Sequence, residues 1–149
     1  MKKYFVLISF LLFSSIIFAQ NIEEKDGLYY NENTLYTGLF EKKDNEAITK
    51  MNISAGKLEG ITNVYYLSGQ KKEQQSYKNG LFDGLWITWN ENGQKLAEAN
   101  YKEGNKNGKW FIWDEKGTLR YEMNYENGLR KGKWIMTDEN GVLISEKAY

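Results

Sequence analysis

Three glutamates, Glu98, Glu122 and Glu146, recur at intervals of 24 residues, with Gln74 one interval earlier. A pair of carboxylates flanking a sugar is the machinery of glycoside hydrolysis. Two features argue against that use. Equivalent strands of a repeating sheet lie two strand spacings apart, about 9–10 Å, wider than a retaining pair needs. The three residues also repeat in one setting, whereas an acid and a base need different environments. The row therefore reads as a solvated face. Asp114, Asp138 and Asn90 form a second oxygen-bearing row, each followed by a glutamate (Glu115, Glu139, Glu91). Calcium needs six to eight converging oxygens, and one turn supplies about two side chains, so these residues read as turn formers. The chain has no His and no Cys. That excludes a Ser-His-Asp triad, a catalytic thiol, and His- or Cys-ligated metal sites. The expectation is a protein that is not an enzyme, with no metal and no cofactor.

The sharper signal is aromatic. Trp86, Trp110 and Trp134 form one row of period 24, and Tyr77, Tyr101, Tyr125 and Tyr149 form another. Tyr65, Trp89 and Trp113 form a third, which Thr137 ends. Glycines keep the same register, in Gly60, Gly84, Gly108 and Gly132, and in two further series from Gly56 and Gly69. A repeat at fixed period must be recognised before anything else, because each unit is one supersecondary element. The Trp86 and Tyr101 rows are expected to share an inner face, where rings of neighbouring units pack on one another. Trp86, Trp110, Trp134, Tyr77, Tyr101 and Tyr125, with Gly84, Gly108 and Gly132 at the bends, make up that structural repeat core. Trp89 and Trp113 lie three residues beyond Trp86 and Trp110, so strand alternation puts them on the other face. With Tyr65 they are the candidate rings for a protein or glycan partner, since an exposed apolar row usually marks one.

Each unit must hold these rings on two strands and two turns. Leu119, Tyr121, Met123 and Tyr125 alternate with Arg120, Glu122 and Asn124, the pattern of a half-buried strand. Asp114 to Gly117 and Asp138 to Gly141 are turn chemistry, with Asp opening and Gly supplying the positive φ. No stretch carries a competing helical period. The predicted fold is all-β, an elongated single-layer antiparallel meander of stacked hairpins. About ten or eleven strands at ~4.8 Å give a sheet on the order of 50 Å long. The array proper covers 60–149, and residues 20–59 form a degenerate repeat or cap.

Residues 1–19 read differently. Lys2 and Lys3 precede an apolar run from Tyr4 to Phe18, and Ala19 stands before Gln20. This is the pattern of a cleaved secretory signal peptide, and the run is shorter than the roughly 20 residues a spanning helix needs. The whole chain balances 20 basic against 20 acidic residues, and loss of Lys2 and Lys3 leaves 18 against 20, net −2. No nucleic-acid face follows from such a balance. The expected location is exported (periplasm, outer surface or secreted), with membrane contact only through the leader.

The Tyr-x-x-Gly-x-x-x-Gly-x-Trp core resembles the MORN repeat, and more closely its bacterial variant group, some of whose members are labelled antitoxin-like. The matching residues are Tyr77, Gly80, Gly84 and Trp86; Tyr101, Gly104, Gly108 and Trp110; and Tyr125, Gly128, Gly132 and Trp134. The resemblance implies a single-layer sheet of hairpins and a role in binding or scaffolding. The leading expectation is an exported, non-catalytic module for protein–protein interaction. The alternatives are a carbohydrate-binding module using Trp89 and Trp113, and an immunity or antitoxin-like protein. The partner is another protein or a cell-surface polymer. A homodimer through the edge strand 142–149 is a further expectation, because an open strand edge invites pairing.

Overall fold

The computed structural model describes residues 21–149, so the expected signal peptide lies outside the described residues. Among these the chain is all strand and turn. It opens with a small antiparallel sheet of β1 (Ile22–Lys25), β2 (Leu28–Asn31) and β3 (Thr34–Leu35). It continues through β4 (Gly38–Lys43), β5 (Ala47–Ser54), β6 (Lys57–Leu58), β7 (Gly60–Tyr66), β8 (Lys71–Lys78), β9 (Leu81–Trp89) and β10 (Lys95–Lys102). β11 (Asn105–Lys106), β12 (Gly108–Trp113), β13 (Leu119–Glu126), β14 (Leu129–Arg130), β15 (Lys133–Thr137) and β16 (Leu143–Ala148) complete it. The second sheet has 13 strands in the order β16-β15-β13-β12-β10-β9-β8-β7-β5-β4, a meander as expected. The short strands β6, β11 and β14 fold back on β5, β10 and β13 before the chain moves on to the next long strand.

Two turn types set the period. At one sheet edge Asn90, Asp114 and Asp138 close the hairpins. The Asp114 carboxylate accepts the N–H groups of Lys116 at 3.0 Å and Thr118 at 2.9 Å, and Asp138 accepts those of Asn140 and Val142, both at 2.8 Å. At the other edge two-residue turns have positive φ at both positions: Asn79-Gly80 at 52° and 82°, Glu103-Gly104 at 49° and 81°, Asn127-Gly128 at 50° and 82°. That is type I′ geometry, whose twist matches the flanking strands. The glycine N–H of each such turn is donated one unit back, from Gly104 to the Phe82 carbonyl and from Gly128 to that of Lys106, both at 2.8 Å. The turns thus stack the units as well as reversing the chain.

Each long hairpin carries one irregularity. Trp89 pairs with Lys95 but Thr88 pairs with Ala97, so Leu96 is an extra residue. The same shift leaves Lys72, Arg120 and Ile144 unpaired in the other units, at the same period. A bulge of this kind re-aims the residues beside it.

Within the array only Thr62 and Ala99 are buried among the described residues, and the buried apolar cluster lies before it. Tyr29, Tyr36, Met51 and Ile53 are 9%, 8%, 5% and 3% exposed and form the core cluster, with Ile22, Phe40 and Leu58 against it. They lie where β2 and the residues after β3 join the turn between β5 and β6. Tyr29 N–H donates to the Gly56 carbonyl at 2.8 Å, and Gly56 N–H donates to that of Tyr36 at 2.7 Å. The Trp and Tyr rows expected as core are half-buried, because a one-layer sheet covers a ring from its flanks and not from above.

Candidate functional site

The array presents two faces, and the ring rows divide between them as alternation requires. On one face the rings form an unbroken column. Centroids are separated by 4.8 Å for Tyr77–Phe82, 5.0 Å for Phe82–Trp86, 5.7 Å for Trp86–Tyr101, and 5.1 Å for Tyr101–Trp110. The column goes on through Trp110–Tyr125 at 5.3 Å, Tyr125–Trp134 at 5.1 Å and Trp134–Tyr149 at 5.0 Å. These separations suit offset and edge contacts between quadrupoles. The Trp110 and Trp134 indoles donate to the carbonyls of Asn100 and Asn124, each at 3.0 Å. Trp86 Nε1 is buried with no protein partner. Gly84, Gly108 and Gly132 mark the bends that lead into these tryptophans, with φ of 103°, 81° and 64°.

Sequence reading missed one row. Phe82, Lys106 and Arg130 are also 24 apart, opposite the tyrosines Tyr77, Tyr101 and Tyr125. Phe82 wedges between Trp86 and Tyr101, 5.0 and 5.1 Å from them. Lys106 Nζ takes the same place one unit on, 4.4 Å from the Trp110 centroid and 5.0 Å from that of Tyr125. The Arg130 guanidinium repeats it, 4.7 Å from Trp134 and 5.1 Å from Tyr149. Cations over ring faces are attracted by the ring quadrupole. The period was the available signal; the change from Phe to Lys and Arg hid it.

Between the rings the same face opens into troughs. One, of about 280 Å³, spans β9, β10 and β12 and is lined by Trp86, Thr88, Ala97, Glu98, Ala99, Tyr101, Lys106, Trp110, Phe111 and Ile112. A second, of about 270 Å³, spans β13, β15 and β16, at Tyr121, Met123, Trp134, Met136, Lys147 and Tyr149. The two are not copies: Ala97 and Ala99 floor the first, whereas Tyr121 and Met123 occupy the matching places one unit later and only edge the second, which is centred on β15. Ile112 and Tyr121 are 37% and 36% exposed on this surface.

The other face carries Tyr65, Trp89 and Trp113, half-buried rather than fully exposed. Each ring has a lysine ammonium over it: Lys50 on Tyr65 at 5.9 Å, Lys71 on Trp89 at 5.7 Å, Lys95 on Trp113 at 5.6 Å. The bulge turns Lys95 onto the face of Glu98, which it meets at 2.7 Å. Alternation alone would have placed Lys95 with Ala97. Glu122 pairs with Lys109 at 3.1 Å and Glu146 with Lys133 at 2.9 Å, so each member of the carboxylate row has its own lysine. Gln74 accepts from Lys71 at 3.2 Å.

The titratable groups with shifted affinities follow from these contacts. Burial pushes the Tyr77 hydroxyl up from 10.0 to about 12, assisted by Tyr29 and Glu73. Burial also raises Tyr101, and nearby Tyr125 adds to the shift. The Asp114 carboxyl is held below its ordinary range by the Thr118 N–H first, then by Lys116 and Arg120. The Val142 and Asn140 N–H groups do the same for Asp138. Among the described residues no three acidic side chains are grouped to hold a metal ion.

Comparison with protein families matches three consecutive segments, 58–79, 82–103 and 106–127, to the MORN repeat variant. Residues 58–127 are therefore successive MORN repeat variants, and β15 and β16 continue the same geometry beyond them. Repeats of this family are generally modules of protein and membrane interaction. Comparison with curated proteins finds no match.

Proposed function

We propose that this array of MORN repeat variants is an exported, non-catalytic module that binds another protein through the ring-column face of its sheet. One observation carries the reading. Two largely apolar troughs open on that face, walled by Trp86, Trp110 and Trp134, and among the described residues no other strand covers them. Aromatic walls around an open apolar floor are the usual material of an interface centre. The carboxylates support a non-catalytic role, since Glu122 and Glu146 each meet a lysine of the neighbouring strand in the same arrangement, and Glu98 meets Lys95 of its own strand. Export rests on the leader pattern of residues 1–19. Pairing of two copies along β16, whose residues are all exposed, is a second mode of contact.

The face of Trp89 and Trp113 is the weaker platform. A sugar stacks on an open ring, and Lys71 and Lys95 sit over these two. The test compares two variants in capture of the native partner from the cell envelope. Ile112→Glu puts a charge in the first trough and should abolish capture. Trp113→Ala alters the opposite face and should leave capture intact. The reverse pattern would overturn the assignment of the docking face, and quenching of Trp fluorescence by glycans would favour the stacking role.

A further inference from the structure

One strand of the array lacks bulk on the ring-column face. On β10, Ala97 stands between Thr88 and Ile112, and Ala99 lies across from Trp86 with Trp110 on its other side. One unit later the matching places hold Tyr121 and Met123, across from Ile112 and Trp110. One unit earlier they hold Glu73 and Gln75, across from Thr88 and Trp86. There the Gln75 amide donates to Glu73 at 2.7 Å and accepts the Tyr77 hydroxyl at 2.8 Å. Thus β8 and β13 occupy the space between their flanking strands with their own side chains, and β10 leaves it open as the first trough. The unit at β13 shows what that space accepts: a ring at the place of Ala97 and a thioether chain at the place of Ala99. Apolar surface of this kind gains by leaving water.

Geometry narrows the shape of what fills it. The trough runs along β10 between β9 and β12, which stand two strand spacings apart, about 9.4–9.8 Å. Ala97 and Ala99 are about 6.6–6.8 Å apart along their strand, the interval at which same-side residues recur on any extended chain. A segment lying along β10 would lower its side chains i and i+2 onto the two alanines. The next same-side place lies over Tyr101, which pairs with Lys106. Among the described residues no carboxylate lies within ion-pair distance of Lys106. Glu98 also lines the trough, but its carboxylate is held by Lys95 at 2.7 Å, so Lys106 is the lining charge left without a counter-charge. Covering that ammonium with apolar groups alone would be costly. We infer that the β10 trough takes an extended segment of another protein, with bulky apolar residues at i and i+2 and a carboxylate at the next same-side position. This partner class rests on the docking face proposed above.

The test uses the full chain and three fluorescent peptides, read by anisotropy at low and high salt. The first is Glu-Thr-Tyr-Thr-Met-Thr-Glu, which sets Tyr, Met and a carboxylate on one side in either direction. The second, Glu-Thr-Tyr-Met-Thr-Thr-Glu, keeps the composition but turns Tyr and Met to opposite sides. The third replaces each Glu of the first by Lys. The first should bind at least tenfold more tightly than either control and weaken as salt rises. Ala97→Tyr with Ala99→Met gives β10 the side chains of β13; this filled variant should keep the parent's circular dichroism and lose the first peptide. Lys106→Gln should weaken the first peptide severalfold and remove most of its salt dependence. Equal binding of the first two peptides, binding of none, or retained binding by the folded filled variant overturns the inference. So does binding to phosphatidylserine–phosphatidylcholine vesicles that the first peptide fails to displace. If the filled variant fails to fold, the ranking of the peptides on the parent and the loss in Lys106→Gln decide the matter. If the peptides fail while Ile112→Glu still blocks capture of the native partner, the extended segment is wrong and the docking face stands. If Ile112→Glu leaves capture untouched, the docking face itself is wrong.

Discussion

Replacing Trp110 by Ala tests whether the ring column is the seam that holds the array together. The indole is half-buried between Tyr101 at 5.1 Å and Tyr125 at 5.3 Å. With half of a ring of roughly 200 Å² covered, lost burial costs about 2.5 kcal/mol at 25 cal/mol per Å². The Nε1–H bond to the Asn100 carbonyl adds about 0.5–1 kcal/mol. That carbonyl keeps the Asn107 N–H at 2.9 Å, so no acceptor is orphaned and the lower figure applies. The expected cost is about 3 kcal/mol, at the foot of the range for deleting a large aromatic, because no second layer seals the site. Trp113→Ala is the control. Its ring meets Phe111 at 5.7 Å and Lys95, and belongs to no continuous column. It should cost about 1–2 kcal/mol less than Trp110→Ala, since it loses one aromatic neighbour instead of two and no indole bond. Urea unfolding followed by far-ultraviolet circular dichroism gives both values. If Trp113→Ala costs as much as Trp110→Ala or more, the column is not what stabilises the sheet.

Four further outcomes follow from the same geometry. Trp110→Phe should cost about 1 kcal/mol more than Trp86→Phe by urea unfolding, because the Trp110 indole has an acceptor and that of Trp86 has none. Gly108→Val should destabilise strongly, since φ there is 81° and a β-branched side chain is a steric outlier in that region; a melting temperature within a degree of the parent would contradict it. The stabilisation from Tyr77 should be complete below pH 10.0, its ordinary value, and lost as pH rises towards about 12, because its folded-state affinity is raised. Absorbance at 295 nm tracks that titration, and circular dichroism tracks the unfolding. Asp114 and Asp138 act with the opposite sign: their lowered values stabilise the folded turns above the ordinary carboxyl value of 3.8 and lose that contribution as pH falls through the folded-state value. Acid titration of the double Asn variant by circular dichroism should show a shallower loss than the parent.

The fold was legible because one signal was repeated in every unit. Period fixed the strands, Asp and Gly fixed the turns, and parity put Trp86 and Trp89 on opposite faces. Three things were not legible, for physical reasons. The bulge at Leu96 is a backbone event with no residue signature, so parity mislays Lys95 and hides its place beside Trp113 and Glu98. The Phe82, Lys106 and Arg130 row was hidden by reading side chains by class, since a ring and two cations fill one slot when each can lie over a tryptophan. Residues 20–59 read as a degenerate repeat or cap, but which of their side chains pack together was hidden because they keep too little of the period. Yet Tyr29, Tyr36, Met51 and Ile53 are the best-buried part of the chain's apolar core.

That last point bears on how the array divides its work. A repeat sheet that buried its rings under a second layer would be more stable and would have nothing to offer a partner. Here the buried apolar cluster gathers at the first strands, where β2 and the segment after β3 join the β5–β6 turn. Beyond Gly60 the rings lie open from above and are braced sideways by one another and by Lys106 and Arg130. Each unit leans on its neighbours, so stability in the array is a chain of nearest-neighbour terms anchored at the capped end. Hydrogen exchange should therefore grade along the molecule, with amides of β5 the slowest and those of β15 and β16 the fastest. Binding at the ring-column face should slow exchange most in β10 and β15, at the centres of the two troughs. Uniform protection from β5 to β16 in the free protein would mean that the array folds as one block, and that the cap is not its anchor.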